Sequence, residues 1–517
     1  MDLIVTALIF MFGFVIFSFT SRVQKKLKGD KHPKCLPSFP LIGSLLSLKS
    51  DLPPHLLFKN LQKTYGDLFS LMMGPRYVVV INHYQHAKEV LVKKGKYFAG
   101  RPSLVTTNLL SRDGKGIAFA NFSPTWRFHR KLVHTSLYTS DNGLETLEER
   151  ICKEATLICT MCEQLVGSPL NIMTEVTRFI ANVISLLCFN STYEKDDPEF
   201  LKMLEYSQGI VDTVGRDSLI DIFPWRQYFP SEDLQILKRS IAVRDSILVK
   251  KFEEHKANFN SDSIKDLTDA LLKAQENAKN NNSLVPGPQL TDDHLMMTVA
   301  DIFGAGVETT GIVFAWTFLY LLQHPEIQTK IHEEIDNNIG FERTPKMSDR
   351  SNLPFLSATI SETLRIQPVS PLLIPHLALV DTCIGDYTIP KGTQVIINLW
   401  AIHHDEKEWK DPGTFDPTRF LDAEGKHIQS PSPSFLPFGA GPRVCVGEAL
   451  TKMQLFLFIA AFLQRFTIEI PPGHQLTDLR GKFGIVQQPG KFKLQLKSRR
   501  PQKGCGSQQV VDSSTPH

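Results

Sequence analysis

The sequence predicts a mainly α-helical domain with small β-sheets (an α+β fold), preceded by an N-terminal transmembrane helix. Three observations predict it. From about residue 84 to 330 the patterning is helical, with long gaps between strand-like runs. Two helical patterns, from Thr291 to about Leu322 and from about Gly447 to Arg465, are long, and the first can cross a whole domain. The strand-like runs are short: residues 77–81 follow a Gly74-Pro75 turn, and 395–400 follow Pro390-Lys391-Gly392.

The elements follow in chain order. Residues 3–19 form an apolar run broken only by Thr6, Gly13 and Ser18. As a helix this run spans roughly 25 Å, against a hydrocarbon core of about 27 Å in the endoplasmic reticulum. A cleavable signal peptide would want a basic residue before the run, where Asp2 is the only charge. Arg22, Lys25, Lys26 and Lys28 follow it instead, so an uncleaved anchor with the body in the cytosol is expected. The expected division is an anchor at 1–21, a basic flank and Pro-rich hinge at 22–40, one domain at 41–497, and a disordered Gly/Ser/Gln/Pro-rich tail at 498–517. The stretch 223–230, with Phe223, Trp225, Tyr228 and Phe229, reads as a turn packed on the core or as a second membrane contact. Residues 277–289 read as a polar loop, and Thr291 as the N-cap of the helix after it, with Asp292 and Asp293 in the first turn.

Composition narrows the function. The 517 residues carry 57 basic and 54 acidic side chains, a net +3, which gives no field suited to nucleic acid. About 150 residues per domain would suggest three or four domains, but the body has no repeat and no low-complexity linker. Eight scattered cysteines fit a reducing compartment. Cys159-x-x-Cys162 lies in a helical stretch without a second pair, so it reads as core rather than as a zinc site.

Four strings carry chemistry. In 438–447 (FGAGPRVCVG), glycines let backbone approach a flat ligand, and Cys445 stands where a helix start favours a thiolate. Arg443 can neutralise a carboxylate there, and Phe438 can pack beside the ligand. In 305–310 (AGVETT), Gly304 and Gly306 each cost a helix interior about 1 kcal/mol. Thr309 there either bonds its own i−4 carbonyl or serves a ligand. Glu362-x-x-Arg365 is an i, i+3 pair, and Trp126-x-x-x-Arg130 puts both side chains on one helix face.

The string around Cys445 matches F-x-x-G-x-R-x-C-x-G, and with AGVETT, E-x-x-R and 415–420 (FDPTRF) the chain resembles the cytochrome P-450 (haem-thiolate monooxygenase) superfamily. The resemblance implies that fold, with the long central helix over haem b (iron protoporphyrin IX). It implies Cys445 as axial ligand of the iron, and Arg443, Arg130, Trp126, Arg101, His376 and Phe438 as haem contacts. Thr309 and Glu308 would assist oxygen activation, and Glu362, Arg365 and Arg419 would hold the fold. No flavin or nicotinamide motif is visible. Electrons would come from NADPH–cytochrome P-450 reductase, docking near Arg127, Arg130 and Lys131.

Within the superfamily, 301–310, 368–376, 395–409 and 435–443 resemble the vertebrate steroid 17α-hydroxylase/17,20-lyases. This implies a progesterone or pregnenolone pocket lined by Ala305, Asp301 and Val369, with Ser207 and Arg244 at its far end meeting the steroid 3-oxygen. It also implies cytochrome b5 as a partner of the lyase step, on a basic surface including Arg350 and Arg443. Lyase-active members carry arginine where this chain has Ser361, so weak lyase activity is expected. The competing readings are another microsomal steroid hydroxylase, such as a 21-hydroxylase, and a haem-binding sensor or carrier.

Overall fold

The structure, a computed structural model, describes residues 31–138, 143–214, 219–280 and 290–499. The expected anchor, its basic flank, residues 281–289 and all but the start of the tail lie outside the described residues. The helices that position the site are α1 (Pro124–Tyr138), α2 (Met173–Phe189), α3 (Pro198–Thr213), α4 (Glu232–Asn258), α5 (Asp292–Gln323), α6 (Pro354–Ile366) and α7 (Glu448–Arg465).

Helix α5 begins as its sequence dictates. Thr291 accepts the His294 N–H while the His294 ring returns to the Thr291 backbone, a reciprocal cap. Its 32 residues run roughly 48 Å. From Thr310 to Leu322 every residue is buried. Phe314 stacks edge-on to Phe458 of α7 at 5.2 Å, and Phe179 of α2 meets Phe458 at 4.6 Å. Among the described residues α5 alone is long and apolar enough to cross a membrane, but 72% of its apolar window is buried in the protein, so it is a core helix. Its middle differs: Ala305 is exposed, and Gly304, Glu308 and Thr309 are half-buried.

Four strands form the larger sheet: β1 (Leu68–Met73), β2 (Arg76–Ile81), β3 (His376–Leu377) and β4 (Gln394–Ile397), in the order β1-β2-β4-β3. β1 and β2 form a hairpin around Gly74, whose φ of +57° suits glycine. β2 and β4 pair in parallel, Val79 opposite Val395, although more than 300 residues separate them. The predicted strand 395–400 is therefore shorter than expected: it ends at Ile397, and Asn398 caps the short helix Leu399–His403.

Helix α6 carries the strongest fold constraint. Glu362 grips Arg365 through two bonds of 2.6 and 2.7 Å, both side chains fully buried. Arg365 donates onward to the carbonyls of His403, Pro412 and Thr414, and Arg419 lies 3.4 Å from Glu362. One ion cluster thus ties α6 to the loops after the sheet.

Three boundaries differ from expectation. The hinge at 33–40 is extended, but it is docked on the sheet: Leu36 is buried and bonds Ser70, so the packed body starts before residue 41. Residues 277–280, expected in a loop, belong to the helix Leu267–Asn280. Ser498, expected in the tail, ends the strand Leu494–Ser498, and Arg499 pairs with Asp336. Cys159 and Cys162 are buried in the helix Gly143–Glu163, where burial pushes the Cys162 thiol up to about 12.

Candidate active site

The segment 438–447 leads into α7, whose first turn meets the middle of α5 where the Thr451 and Thr310 hydroxyls lie 3.3 Å apart. Gly441 has φ +70°, and a Cβ there would lie 1.8 Å from the Leu91 carbonyl, so no other residue fits. The turn closes when Cys445 donates its N–H to the Phe438 carbonyl at 2.9 Å. Gly447 then caps α7. Cys445 keeps accessible surface although protein atoms crowd it. Burial raises its thiol pKa, while the Gly447 N–H and the Arg130 charge act the other way.

Three arginines converge beside it. Arg443 donates to the carbonyls of Ala99, Ile117 and Ala120, and Arg101 to those of Ala118, Ile374 and Pro375. Arg130 donates to Val444. Trp126, held by its indole N–H on Ile117, has Arg443 over its ring at 4.1 Å and Arg130 at 5.6 Å. His376 is buried with Nδ1 on the Phe98 carbonyl, and burial plus the Arg101 charge push it down to about 3, so it is neutral. Burial, then mutual repulsion, holds Arg101 well below the usual arginine range and pushes Arg443 down to about 9. The recorded hydrogen-bond partners of all three guanidiniums are backbone carbonyls. Such a cluster calls for an anion. A flat cofactor with two carboxylates and a metal that takes a thiolate fits this donor set, so the residues expected to contact haem are compatible with it.

On the α5 side, the Thr309 hydroxyl donates to the Ala305 carbonyl at 2.6 Å, the ordinary i−4 bond, which leaves its oxygen free to accept. Burial raises the Glu308 carboxyl, partly offset by a bond from Ser207. Val369 is half-buried nearby in sequence to the sheet.

The structure gives several of the other expected residues definite protein partners. Ser207 donates its hydroxyl to the Glu308 carboxylate. Arg244 is buried and spends its guanidinium on Asp245 and on the Leu110 carbonyl. The Asp301 carboxylate accepts the N–H groups of Ile117 and Ala118. Arg443 is half-buried and its guanidinium belongs to the inward cluster. Arg130 likewise turns inward, leaving Arg127 and Lys131 exposed on α1. Ser361 is buried, bonding Ser357 and the His427 ring at the floor of a groove that Arg350 and Lys452 also line. The loop 112–122 was missed by sequence reasoning, since its contacts are made by backbone and only Gly114 and Gly116 mark it.

Comparison with known proteins agrees with this geometry. A family model described as Cytochrome P-450 matches residues 33–496. The chain is 66% identical over 506 residues to a Squalus acanthias protein named steroid 17-alpha-hydroxylase/17,20 lyase, covering 98% of this chain and 99% of that one. It is 58% identical to the Gallus gallus protein of the same name, covering 92% and 94%. A solved zebrafish cytochrome P-450 with progesterone superimposes with a TM-score of 0.77 at 42% identity, covering 86% of this chain and all of that one.

Proposed function

The chain belongs to the cytochrome P-450 family, and from that premise we propose that it is a steroid monooxygenase hydroxylating progesterone and pregnenolone at the 17α position, with little 17,20-lyase activity. One observation carries the haem-thiolate reading: a Cys445 thiol beside three guanidiniums whose hydrogen-bond partners among the described residues are backbone carbonyls. When bound, haem supplies oxygen activation at its iron, and a thiolate ligand favours O–O cleavage. Cofactors in this family receive electrons from a redox partner; here the reading is haem b served by NADPH–cytochrome P-450 reductase, with Arg127 and Lys131 as exposed cations for docking.

The chain's own residues divide the work. Cys445 holds the metal, with its thiolate favoured by the Gly447 N–H and Arg130. Arg101, Arg130 and Arg443 hold the propionates, with Trp126 and neutral His376 packed among them. Phe438, whose carbonyl accepts the Cys445 N–H, would pack beside the bound cofactor. Thr309 accepts a hydrogen bond with the lone pair that its own i−4 bond leaves free. Glu308, raised by burial, holds a proton nearer neutral pH than an exposed carboxyl does, so it can pass one on. Ala305 and Val369 give the apolar wall against which a steroid lies.

Lyase activity depends on an acidic partner, cytochrome b5, meeting a basic face. Arg350 and Lys452 flank the groove over Ser361. Burial and those two cations push the His427 ring down to about 4, so it adds no charge at neutral pH. An arginine at 361 would reach out past His427 and add one. In an assay reconstituted with reductase, 17α-hydroxyprogesterone is expected to accumulate, with androstenedione a minor product. Ser361→Arg is expected to raise the lyase response to b5 up to about fivefold, the effect of about 1 kcal/mol. Abundant androstenedione from the unmodified protein sinks the lyase proposal, and 21-hydroxylated product sinks the regiochemistry.

The protein is membrane-associated by this reading, held by residues 3–19 in the endoplasmic reticulum with the domain in the cytosol. The aromatic turn gives a second contact. Trp225, Tyr228 and Phe229 are 57%, 83% and 60% exposed, and the turn adjoins the β1–β2 hairpin through Phe223 and Gly74. Phe39, Leu41 and Leu46, near the same hairpin through Gly43, are exposed too. Among the five tryptophans Trp225 alone is exposed. Brominated lipid is therefore expected to quench the emission of full-length protein in vesicles, and Trp225→Phe to remove most of that quenching. Equal quenching in both proteins counts against the contact.

A further inference from the structure

We propose that Asp301 is a positioning residue, latching the loop 112–122 so that the loop's carbonyls aim the cofactor-binding arginines. The inference rests on the haem reading above and adds a role that the family motifs do not contain.

The contacts meet on the backbone of one short segment, and one of them passes through a single peptide group, that between Ile117 and Ala118. One oxygen of Asp301, Oδ2, accepts both the Ile117 N–H at 2.6 Å and the Ala118 N–H at 2.9 Å. The carbonyls of the same two residues face the other way. Ile117 O accepts the Trp126 indole at 2.8 Å and Arg443 at 3.3 Å, and Ala118 O accepts Arg101 Nε at 3.2 Å. Ala120 O, two residues on, accepts Arg443 at 2.7 Å. The Ala118 N–H and the Ile117 carbonyl are the two ends of one peptide, so Asp301 polarises that carbonyl and strengthens its bonds to Trp126 and Arg443, while the Ala118 and Ala120 carbonyls are placed by the backbone it fixes. Gly116 completes the latch, because a Cβ at 116 would lie 2.1 Å from the same Oδ2.

Neighbouring contacts hold the segment from the other side. Arg244 of α4 donates to the Leu110 carbonyl at 2.7 Å. Arg112 pairs with Asp245 at 2.8 Å and with Asp293 at the start of α5. Two residues expected to meet the steroid, Asp301 and Arg244, thus act on this segment. Asp301 ties the helix that carries Thr309 to the arginines around Cys445, and nothing else among the described contacts joins α5 to the 116–120 carbonyls.

The test uses full-length protein with Asp301→Ala, Asp301→Asn, Gly116→Ala and the Asp301→Ala/Gly116→Ala double variant. Two quantities are read: the rate of haem transfer to a haem-scavenging apoprotein, and tryptic cleavage after Arg112 and Lys115. Asp301→Ala is expected to raise both at least about tenfold, the effect of losing even one hydrogen bond to a charged acceptor. Asp301→Asn keeps a carbonyl oxygen in place and is expected within about twofold of the unmodified protein by the same reasoning. Gly116→Ala should mimic Asp301→Ala, and the double variant should be no worse than either single one. Haem loss at the unmodified rate in Asp301→Ala overturns the proposal. So does an asparagine variant as damaged as the alanine one, or a double variant whose effects multiply. The carbon monoxide spectrum of the unmodified protein tests the haem-thiolate reading separately, so failure of that reading is distinguishable from failure of the latch.

Discussion

Cys445→Ser is expected to abolish steroid hydroxylation and to remove the red-shifted carbon monoxide band of the reduced protein. The change is nearly isosteric, so the fold around it should persist: the Cys445 N–H still bonds Phe438, and Gly447 still caps α7. What is lost is the thiolate. A serine hydroxyl ionises far less readily than a thiol, and neither the Gly447 N–H nor Arg130 can make up that difference. Activity should fall to background while haem content falls less, because Arg101, Arg130 and Arg443 keep their anion sites. Product formation above background by the serine variant, or an unshifted band in the unmodified protein, would remove Cys445 from the role proposed.

The second large effect concerns stability. Arg365→Ala is expected to cost at least about 3–5 kcal/mol, the range for removing one partner of a buried ion pair. The substitution strands Glu362, fully buried, with Arg419 at 3.4 Å as its remaining cation. It also removes the donor for the carbonyls of His403, Pro412 and Thr414. For that reason a Glu362→Leu/Arg365→Met double variant should not recover full stability, although it removes the unpaired charge. Arg365→Lys should also fail, since an ammonium cannot reach two carboxylate oxygens and three carbonyls from one planar fork. Denaturant unfolding followed by haem absorbance reads all three. A lysine variant as stable as the unmodified protein would refute the argument from geometry.

Local chemistry was the legible part. Thr291 caps α5 because its hydroxyl sits before an apolar helix with two aspartates in the first turn, and these are features of neighbouring residues. Cys445 stood out because glycines around it make sense only where backbone must come close to something. The resemblance of the four strings then implied the fold. What could not be read were contacts between segments distant in sequence. Ser361 looked like a missing surface charge, yet it lies buried against His427, 66 residues away. Arg130 and Arg443 looked available to partner proteins, yet both turn inward. The side-chain types were right for those roles; their directions were set by packing.

The sequence by itself determined a helical domain with small sheets, the central helix and its cap, the cysteine turn and the family. Each follows from periodicity, capping residues or a string of neighbours, all properties local to the chain. Only the tertiary structure decided how the charges are spent. It placed Asp301 on the backbone of 117–118, Ser207 on Glu308, Arg244 on Leu110 and three arginines together on backbone carbonyls. The physical reason is that a buried charge must find a partner or an acceptor, and which one lies within 3 Å depends on how helices and loops far apart in sequence are packed.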